Sequence, residues 1–314
     1  MPTISTGLKS LDVLKINNSE QLVGVIDDVI KVIPELQFFD AAAVTRNEYQ
    51  TLVVEKYPKV GFRLPNEFAK HESAKLGQRS VKCTYLDASW TMDRALAEMA
   101  DWGKEIVLAL QAKTHLQSAF FLLSQQIWYG SKNEVNGFSG LLDLVGKANP
   151  EMQISAGGTG TGLTSVFAVS TSLDTCQIAW GSEGKFNEGE LTKIWLADPT
   201  NKTAEDNGGR WDYGQDIGGW AGLQVTSTHA FGRISNISEA KPLNDEMLFK
   251  LLSRFPGGRA PQALFMTRRS LEQLRAGRTA VNVTGAPAPT PTEIAGIPIF
   301  TTDALINNEE TLNS

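Results

Sequence analysis

The run Gly157 to Gly162, GGTGTG, has the composition of a phosphate cradle. Its third glycine is misplaced for G-x-G-x-x-G, and no Lys-Ser/Thr pair follows as a P-loop requires, so a flexible loop is the reading. The segment Gly137-Phe138-Ser139-Gly140-Leu141 approaches the nucleophile elbow G-x-S-x-G, but Leu141 stands where the second glycine belongs and a plain turn is expected. His71, His115 and His229 form no H-x-x-x-H pair, which leaves a zinc site without local support. Asp206, Asp212 and Asp216 lack the spacing of a calcium loop and sit among Gly and Asn, where turn formation accounts for them. Cys83 and Cys176 are far apart and outside any C-x-x-C spacing, so neither a metal or redox site nor a disulfide framework is expected, and a reducing compartment is the natural setting. The sequon Asn201 to Thr203 carries no weight without secretion. No cofactor, metal or catalytic group is assigned. A hydrolase built on Ser139 or on a carboxylate pair in the Gly- and Asp-rich section stays as a remote alternative.

Elements that could position such residues must fit a chain of 314 residues, enough for one large domain or two to three small ones. Hydrophobic residues at 41% and charged residues at 20% are near the globular average and exclude wholesale disorder. The net charge of -6 has the wrong sign for a protein whose affinity rests on neutralising many phosphates. The opening MPTISTGLKSLDVLKINNSEQ has no basic segment followed by an apolar run, and no stretch reaches the ~18 apolar residues that span a bilayer; neither a leader nor a membrane association is expected.

Ser19 can cap a helix whose apolar positions run from Leu22 to Ile33, with Pro34 near its end. An apolar helix so placed needs a covering surface, and Leu22, Ile26, Val29, Ile30 and Ile33 are therefore candidate inter-subunit contacts. The β-prone runs TLVVEKY and SVKCTYL flank a polar stretch with too little apolar surface for a core, which reads as a long two-stranded excursion. An isolated hairpin is marginal in water and is expected to rest on another surface or another subunit. A single long helix is expected from about Met92 to Gly130, bent at Gly103. From NGFSGLLDLVG through SVFAVST and TCQIAWG the texture reads as β. Trp195, Trp211 and Trp220 read as buried anchors of Gly- and Asp-rich loops. LQVTSTHAFGRISNIS reads as one long half-buried strand, NDEMLFKLLSRF and TRRSLEQLRAG as helices capped by Asn244 and closed by Gly277, and ALFMT and GIPIFTTDAL as strands.

Charge is unevenly spread. Residues 46 to 82 carry eight basic side chains against four acidic ones, whereas Glu183 to Asp216 carry eight acidic against four basic. Lys56, Lys59, Arg63, Lys70 and Lys75 on the hairpin and Glu205, Asp206, Asp212 and Asp216 in the acidic section are therefore candidate partners between copies, expected to weaken with salt.

The order of these parts, an arm, a long hairpin, a helix opening WTMDRALAEMADWG, the turn GFSGLL, then SVFAVSTSLDTCQIAWGSEG, DNGGRWDYGQDIGGWAGLQVTSTHAFGRISNIS, ALFMTRRSLEQL and GIPIFTTDAL, resembles the major capsid proteins of tailed bacteriophages. The resemblance covers nearly the whole chain. It implies an α+β Hong Kong 97-type fold: an N-terminal arm over 1–44, an extended hairpin loop over 45–90, a peripheral domain with the spine helix over 91–136 and 205–240, and an axial domain over 137–204 and 241–314. In many relatives the equivalents of FMTRRSLEQL and GIPIFTTDAL precede the SVFAVST and QIAWG strands, so the order here resembles a permuted branch. The implied function is a non-enzymatic shell subunit that assembles with itself into hexamers and pentamers of an icosahedral virion. Expected partners are a portal, a separate scaffolding protein, a decoration protein and non-specifically held DNA, with assembly in the host cytoplasm. An encapsulin-type nanocompartment shell is the alternative within the same fold.

Overall fold

The structure, a computed structural model, describes residues 33–45, 47–68, 72–99, 104–184, 186–197, 209–282 and 286–311. The chain enters through a short helix α1 (Glu35–Phe38) behind Pro34, then forms β1 (Ala41–Ala43), β2 (Glu48–Lys56), β3 (Lys75–Lys82), β4 (Thr84–Asp87) and β5 (Trp90–Asp93). A one-turn helix α2 (Arg94–Glu98) precedes the long helix α3 (Lys104–Tyr129), and α4 (Leu141–Ala148) follows. Next come β6 (Gln153–Ser155), β7 (Thr164–Val169), β8 (Cys176–Trp180), β9 (Phe186–Glu188), β10 (Thr192–Ala197), β11 (Gly209–Gln215), β12 (Ile217–Val225) and β13 (Phe231–Ile237). The remainder is α5 (Asp245–Leu252), β14 (Ala263–Met266), α6 (Arg268–Val281), β15 (Glu293–Ile294) and β16 (Ile297–Thr301).

Helix α3 has 26 residues and so extends about 39 Å. Leu116, Ala119, Phe120, Leu123 and Ile127 recur at three and four spacing and are all buried, which fixes the face it turns to the sheets. It stops at Gly130, whose φ of +54° only glycine adopts without strain, and where a Cβ would stand 2.2 Å from the Gly140 nitrogen. Gly130 and Gly140 thus pack backbone on backbone, and Asp143 clamps the turn by accepting from Ser131 N at 2.8 Å and Gly140 N at 3.2 Å.

The six-stranded sheet runs β15-β16-β14-β7-β13-β6. It is covered on both faces. Phe167 and Val169 of β7 and Phe265 of β14 face the α3 side with Trp128, while Val166, Ala168, Leu264 and Met266 face Leu248, Leu251 and Leu274 of α5 and α6. Two-sided burial explains why SVFAV and ALFM are unbroken apolar runs. A second sheet runs β1-β8-β12-β4 with β9 also on β12, a three-stranded sheet runs β10-β11-β5, and β2 and β3 pair only with each other.

Several expectations are corrected. Met92 lies in β5, and Asp93 caps α2 by accepting from Ala95 N at 2.8 Å, so the long helix starts at Lys104. LLDLVGKA is helical, because the Gly140 turn and Asp143 start a helix that a period-two reading misses. LQVTSTHAFGRISNIS is split by a turn at Thr228–His229 into β12 and β13 of different sheets, and β13 is buried throughout. Gly277 lies inside α6, which Thr267 caps through Ser270 N and which runs to Val281. Asn244 does cap α5, accepting from Met247 N at 2.9 Å. The Ser19 to Ile30 segment lies outside the described residues.

Candidate functional site

The first described residues are fastened inside the subunit's own core. Ile33 is 3% exposed within the main core, so it is a packing residue and not an inter-subunit contact as its pattern led us to expect. Leu22, Ile26, Val29 and Ile30 lie outside the described residues. Two residues after Ile33, Glu35 is fully buried and accepts from Trp128 Nε1 at 2.9 Å, with the hydroxyls of Thr302 and Ser124 also facing its carboxyl. Burial pushes its carboxyl above the ordinary 4.5, only partly countered by those bonds.

The hairpin β2–β3 pairs from Glu48↔Lys82 to Lys56↔Lys75 and carries the loop 57–74 at its end. Part of its charge is paired within it. Lys75 Nζ lies 2.9 Å from Glu55, Lys56 Nζ lies 3.5 Å from Glu72, and Arg63 Nη1 donates to the Glu67 carbonyl at 2.9 Å. Glu55 is held below the usual carboxylate range by the bond from Lys75, which is raised in turn. Lys59 donates its backbone N–H to Glu72 at 2.8 Å, and Lys70 lies outside the described residues. What the loop offers instead is apolar: Tyr57, Val60, Phe62, Leu64 and Phe68 are 67% or more exposed. Single exposed apolar residues are ordinary, but five in one loop are a concentration of the kind found at interfaces.

At its base the hairpin is tied to β12. Thr51 and Arg79 are cross-strand partners, and both reach the end of that strand: Gln224 Nε2 donates to Thr51 Oγ1 at 3.0 Å, and Arg79 Nη1 to the Val225 carbonyl at 3.1 Å. Gln177, opposite Gln224 on β8, donates to Gln224 Oε1 and so turns the Gln224 amide toward Thr51. The signal was present as glutamines in the apolar runs CQIAW and GLQV.

The acidic section does not form one surface. The Asp212 side chain is 0% exposed and sits 2.9 Å from Arg210, so it is unavailable to a neighbour's lysine. Asp216 is exposed and accepts from Ser89 Oγ at 3.0 Å, and Glu205 and Asp206 lie outside the described residues. Trp195 and Trp211 are half exposed, cross-strand partners with ring centroids 5.3 Å apart, and are not the buried anchors expected of them.

One buried polar cluster had no sequence signature. Arg233 on β13 donates to Glu309 at 2.8 Å with both side chains nearly inaccessible, Tyr129 Oη donates to Glu309 Oε1 at 2.6 Å, and Ser165 also bonds to the same carboxylate. The Ile306 N–H donates to Tyr129 Oη at 3.0 Å, which fastens the C-terminal segment to the end of α3. Burial and the adjacent carboxylate raise the Tyr129 phenol, and burial lowers Arg233 against the opposing pull of Glu309.

The residues weighed for chemistry are dispersed. Gly157, Gly160 and Gly162 take φ of +80°, +92° and +77°, and Arg269 Nη2 donates to the Gly162 carbonyl at 2.6 Å, so the loop is anchored by protein groups. Ser139 is exposed on its turn, His115 lies on α3 against Trp90, His229 is in the β12–β13 turn, and His71 lies outside the described residues. Cys83 and Cys176 are buried free thiols, the latter raised by burial. Among the described residues no three His, Cys, Asp or Glu side chains gather as a metal site, and no helix is long and apolar enough to cross a membrane.

An exposed apolar loop on a long hairpin, beside a core that uses its polar groups for structure, is the anatomy of a subunit. The sequence model of the family "Major capsid protein GP7" matches residues 18–313. The chain belongs to that family. A structure of bacteriophage Epsilon15 aligns with a TM-score of 0.64 over 99% of both chains at 16% identity, and the fold is accordingly of the Hong Kong 97 type. The procapsid of bacteriophage JBD30 aligns at a TM-score of 0.46, with 12% identity over 92% of this chain and 100% of that one. The SrpI encapsulin of Synechococcus elongatus PCC 7942 aligns at 0.42, with 8% identity over 65% of this chain and 86% of that one. A search of curated proteins finds no match. This capsid protein is a structural component of a tailed-phage virion that assembles with its own copies into a shell.

Proposed function

We propose that the shell is closed through the hairpin, whose apolar loop seats on a neighbouring copy within hexamers and pentamers of an icosahedral lattice. The observation that carries this is the exposure of Tyr57, Val60, Phe62, Leu64 and Phe68 in the loop at the hairpin's end, none of which packs into the subunit's core. Fully burying a side chain of that size is worth about 1.5 to 3 kcal/mol. In this reading 1–44 is the arm, 45–90 the extended loop, 91–136 the peripheral part with the spine helix, and 137–204 with 241–314 the axial part. Because β13 shares its sheet with β7 and β14, we assign 231–240 to the axial part and leave 205–230 with the peripheral one.

The subunit acts without catalysis and without cofactor. Its further partners are a portal, a separate scaffolding protein and a decoration protein, and the packaged DNA is enclosed with only non-specific contacts, which the net charge of -6 keeps weak. Assembly takes place in the host cytoplasm. Expression of the full chain with and without its scaffolding partner, followed by sedimentation and electron microscopy, tests the reading: closed shells are expected, and monomers or dimers alone in both conditions overturn it. Nucleic acid inside native particles is expected, whereas an enclosed cargo enzyme would instead favour the encapsulin reading.

A further inference from the structure

The hairpin is joined to the body in two places. Its root is held by Val81 and Cys83, which pack on Ala179 beside Trp220, and by the Cys83 thiol donating to the Ala179 carbonyl at 3.8 Å. The second attachment is the Thr51–Arg79 rung on Gln224 and Val225. Between the rung and the 135–139 segment lies a cavity of about 660 Å³, lined by Thr51, Arg79, Val135, Asn136 and Thr226 among others. Space into which a hairpin can swing lies beside the bonds that stop it from swinging.

The buried glutamines make the arrangement more than incidental. Gln177 and Gln224 are 5% and 3% exposed on strands otherwise made of apolar side chains. A buried amide costs stability unless its hydrogen bonds are made. Here the Gln177 amide occupies the Gln224 carbonyl, and the Gln224 NH2 is left to Thr51 Oγ1 at 3.0 Å and Thr226 Oγ1 at 3.3 Å. An acceptor of its NH2 therefore belongs to the hairpin, and releasing the hairpin removes it.

We propose that Gln224, oriented by Gln177, and Arg79 form a latch that fixes the angle of the hairpin to the body, and that they are positioning residues for assembly. The inference rests on the reading that the hairpin loop docks on a neighbouring copy. The geometry gives the latch leverage. At about 3.4 Å per residue, Thr51 is roughly 10 Å from Glu48 and Lys56 roughly 27 Å, so a slack of about 1 Å at the rung becomes nearly threefold larger at the end of the ladder. A loop released in this way reaches its docking site in fewer of its conformations, and the effective affinity falls by the populated fraction.

The test uses the full-length subunit kept dilute and unassembled. Gly61, whose added Cβ would meet nothing within 4 Å, and exposed Asp174 are replaced by spin-labelled cysteines, and the distance distribution between them is measured. A narrow distribution is expected for the parent. Thr51→Val with Arg79→Ala should broaden it several-fold in a subunit that stays folded, with a melting temperature lowered by a few degrees, Thr51→Val alone should broaden it less, and Thr51→Ser should keep it narrow. Assembly of the unlabelled double variant should slow about tenfold. A folded double variant with the parental distribution overturns the latch. A broadened distribution with parental assembly rate supports the latch and overturns the docking reading instead. If the double variant fails to fold, the comparison of Thr51→Val with Thr51→Ser decides on the same readout.

Discussion

Two buried acids illustrate how differently a carboxyl can be kept in this core. Glu309 is countered by Arg233, 2.8 Å away, and receives the Tyr129 hydroxyl at 2.6 Å, while Glu35 meets an indole and hydroxyls. Removing one partner of a buried pair costs about 3 to 5 kcal/mol, and replacing both by apolar residues is often nearly neutral. Glu309→Ala should therefore lose several kcal/mol in urea unfolding, and Glu309→Leu with Arg233→Met should recover most of it; equal losses in both would show that the ion pair itself holds the C-terminal segment. Glu35 gives a pH dependence of definite sign. Its folded pKa lies above its ordinary 4.5, so between those values the unfolded chain releases the proton first and stability falls as pH rises. The contribution is complete below about 4.5 and lost as pH climbs through the folded value, at a slope on the order of 1 kcal/mol per pH unit. Glu35→Gln keeps an acceptor for Trp128 and cannot ionise, so its advantage over the parent should grow in unfolding series as pH rises from about 4.5 to the folded value. A constant difference across that range would refute the buried acid as its source. Neither acid was legible from the sequence, because nothing local marks a Glu whose partners are 93 and 76 residues away.

At the scale of elements, period and capping chemistry carried further. The β2–β3 excursion, the apolar strands β7, β8 and β14, and the Asn244 cap follow from residue type alone. The failures have physical causes. Burial of β13 on both faces removes the alternation that marks a surface strand, and Asp143 with the Gly130–Gly140 contact makes a helix start that depends on a residue pair ten apart. Ile33 and Asp212 were read as contacts between copies because apolar periodicity and charge counts report composition and do not report which side faces inward. The stretch after Tyr57 has too few apolar residues for a core, and Val60, Phe62, Leu64 and Phe68 in it, with Tyr57, are strongly exposed. Because they support nothing in the subunit, Phe62→Ser with Phe68→Ser should leave the melting temperature of the isolated subunit within about 1 °C, as surface substitutions stay near ±0.5 kcal/mol. Shell formation by the same variant, followed by light scattering, should be severely slowed; parental kinetics would mean that the loop is not an interface. Reversing Lys56, Lys59 and Arg63 to Glu is the matching control for charge.

For the whole molecule the question is which force brings copies together. The chain carries -6 overall with a basic hairpin, and from the sequence alone that asymmetry predicts docking by opposite charge and inhibition by salt. The structure shifts the balance. Lys56 and Lys75 are paired within the hairpin, Asp212 is buried with Arg210, and each remaining exposed pair is worth only about 0.2 to 1 kcal/mol. A single loop aromatic, once buried, exceeds that at about 1.5 to 3 kcal/mol, and such burial is not screened. Raising salt from about 0.1 M to about 1 M shortens the Debye length from ~10 Å to ~3 Å and removes most of what exposed pairs supply. Docking dominated by the loop should then keep its rate within a few-fold across that range, and sulfate, which strengthens apolar burial, should speed it. Cooling should slow it, because apolar association weakens as temperature falls. Assembly followed by light scattering at fixed subunit concentration over that salt range decides between the forces: a steep fall with added NaCl, abolished in the Lys56, Lys59 and Arg63 charge reversal, would return the hairpin to electrostatic docking. A flat response that collapses only in the Phe62 and Phe68 variant is the outcome this geometry predicts.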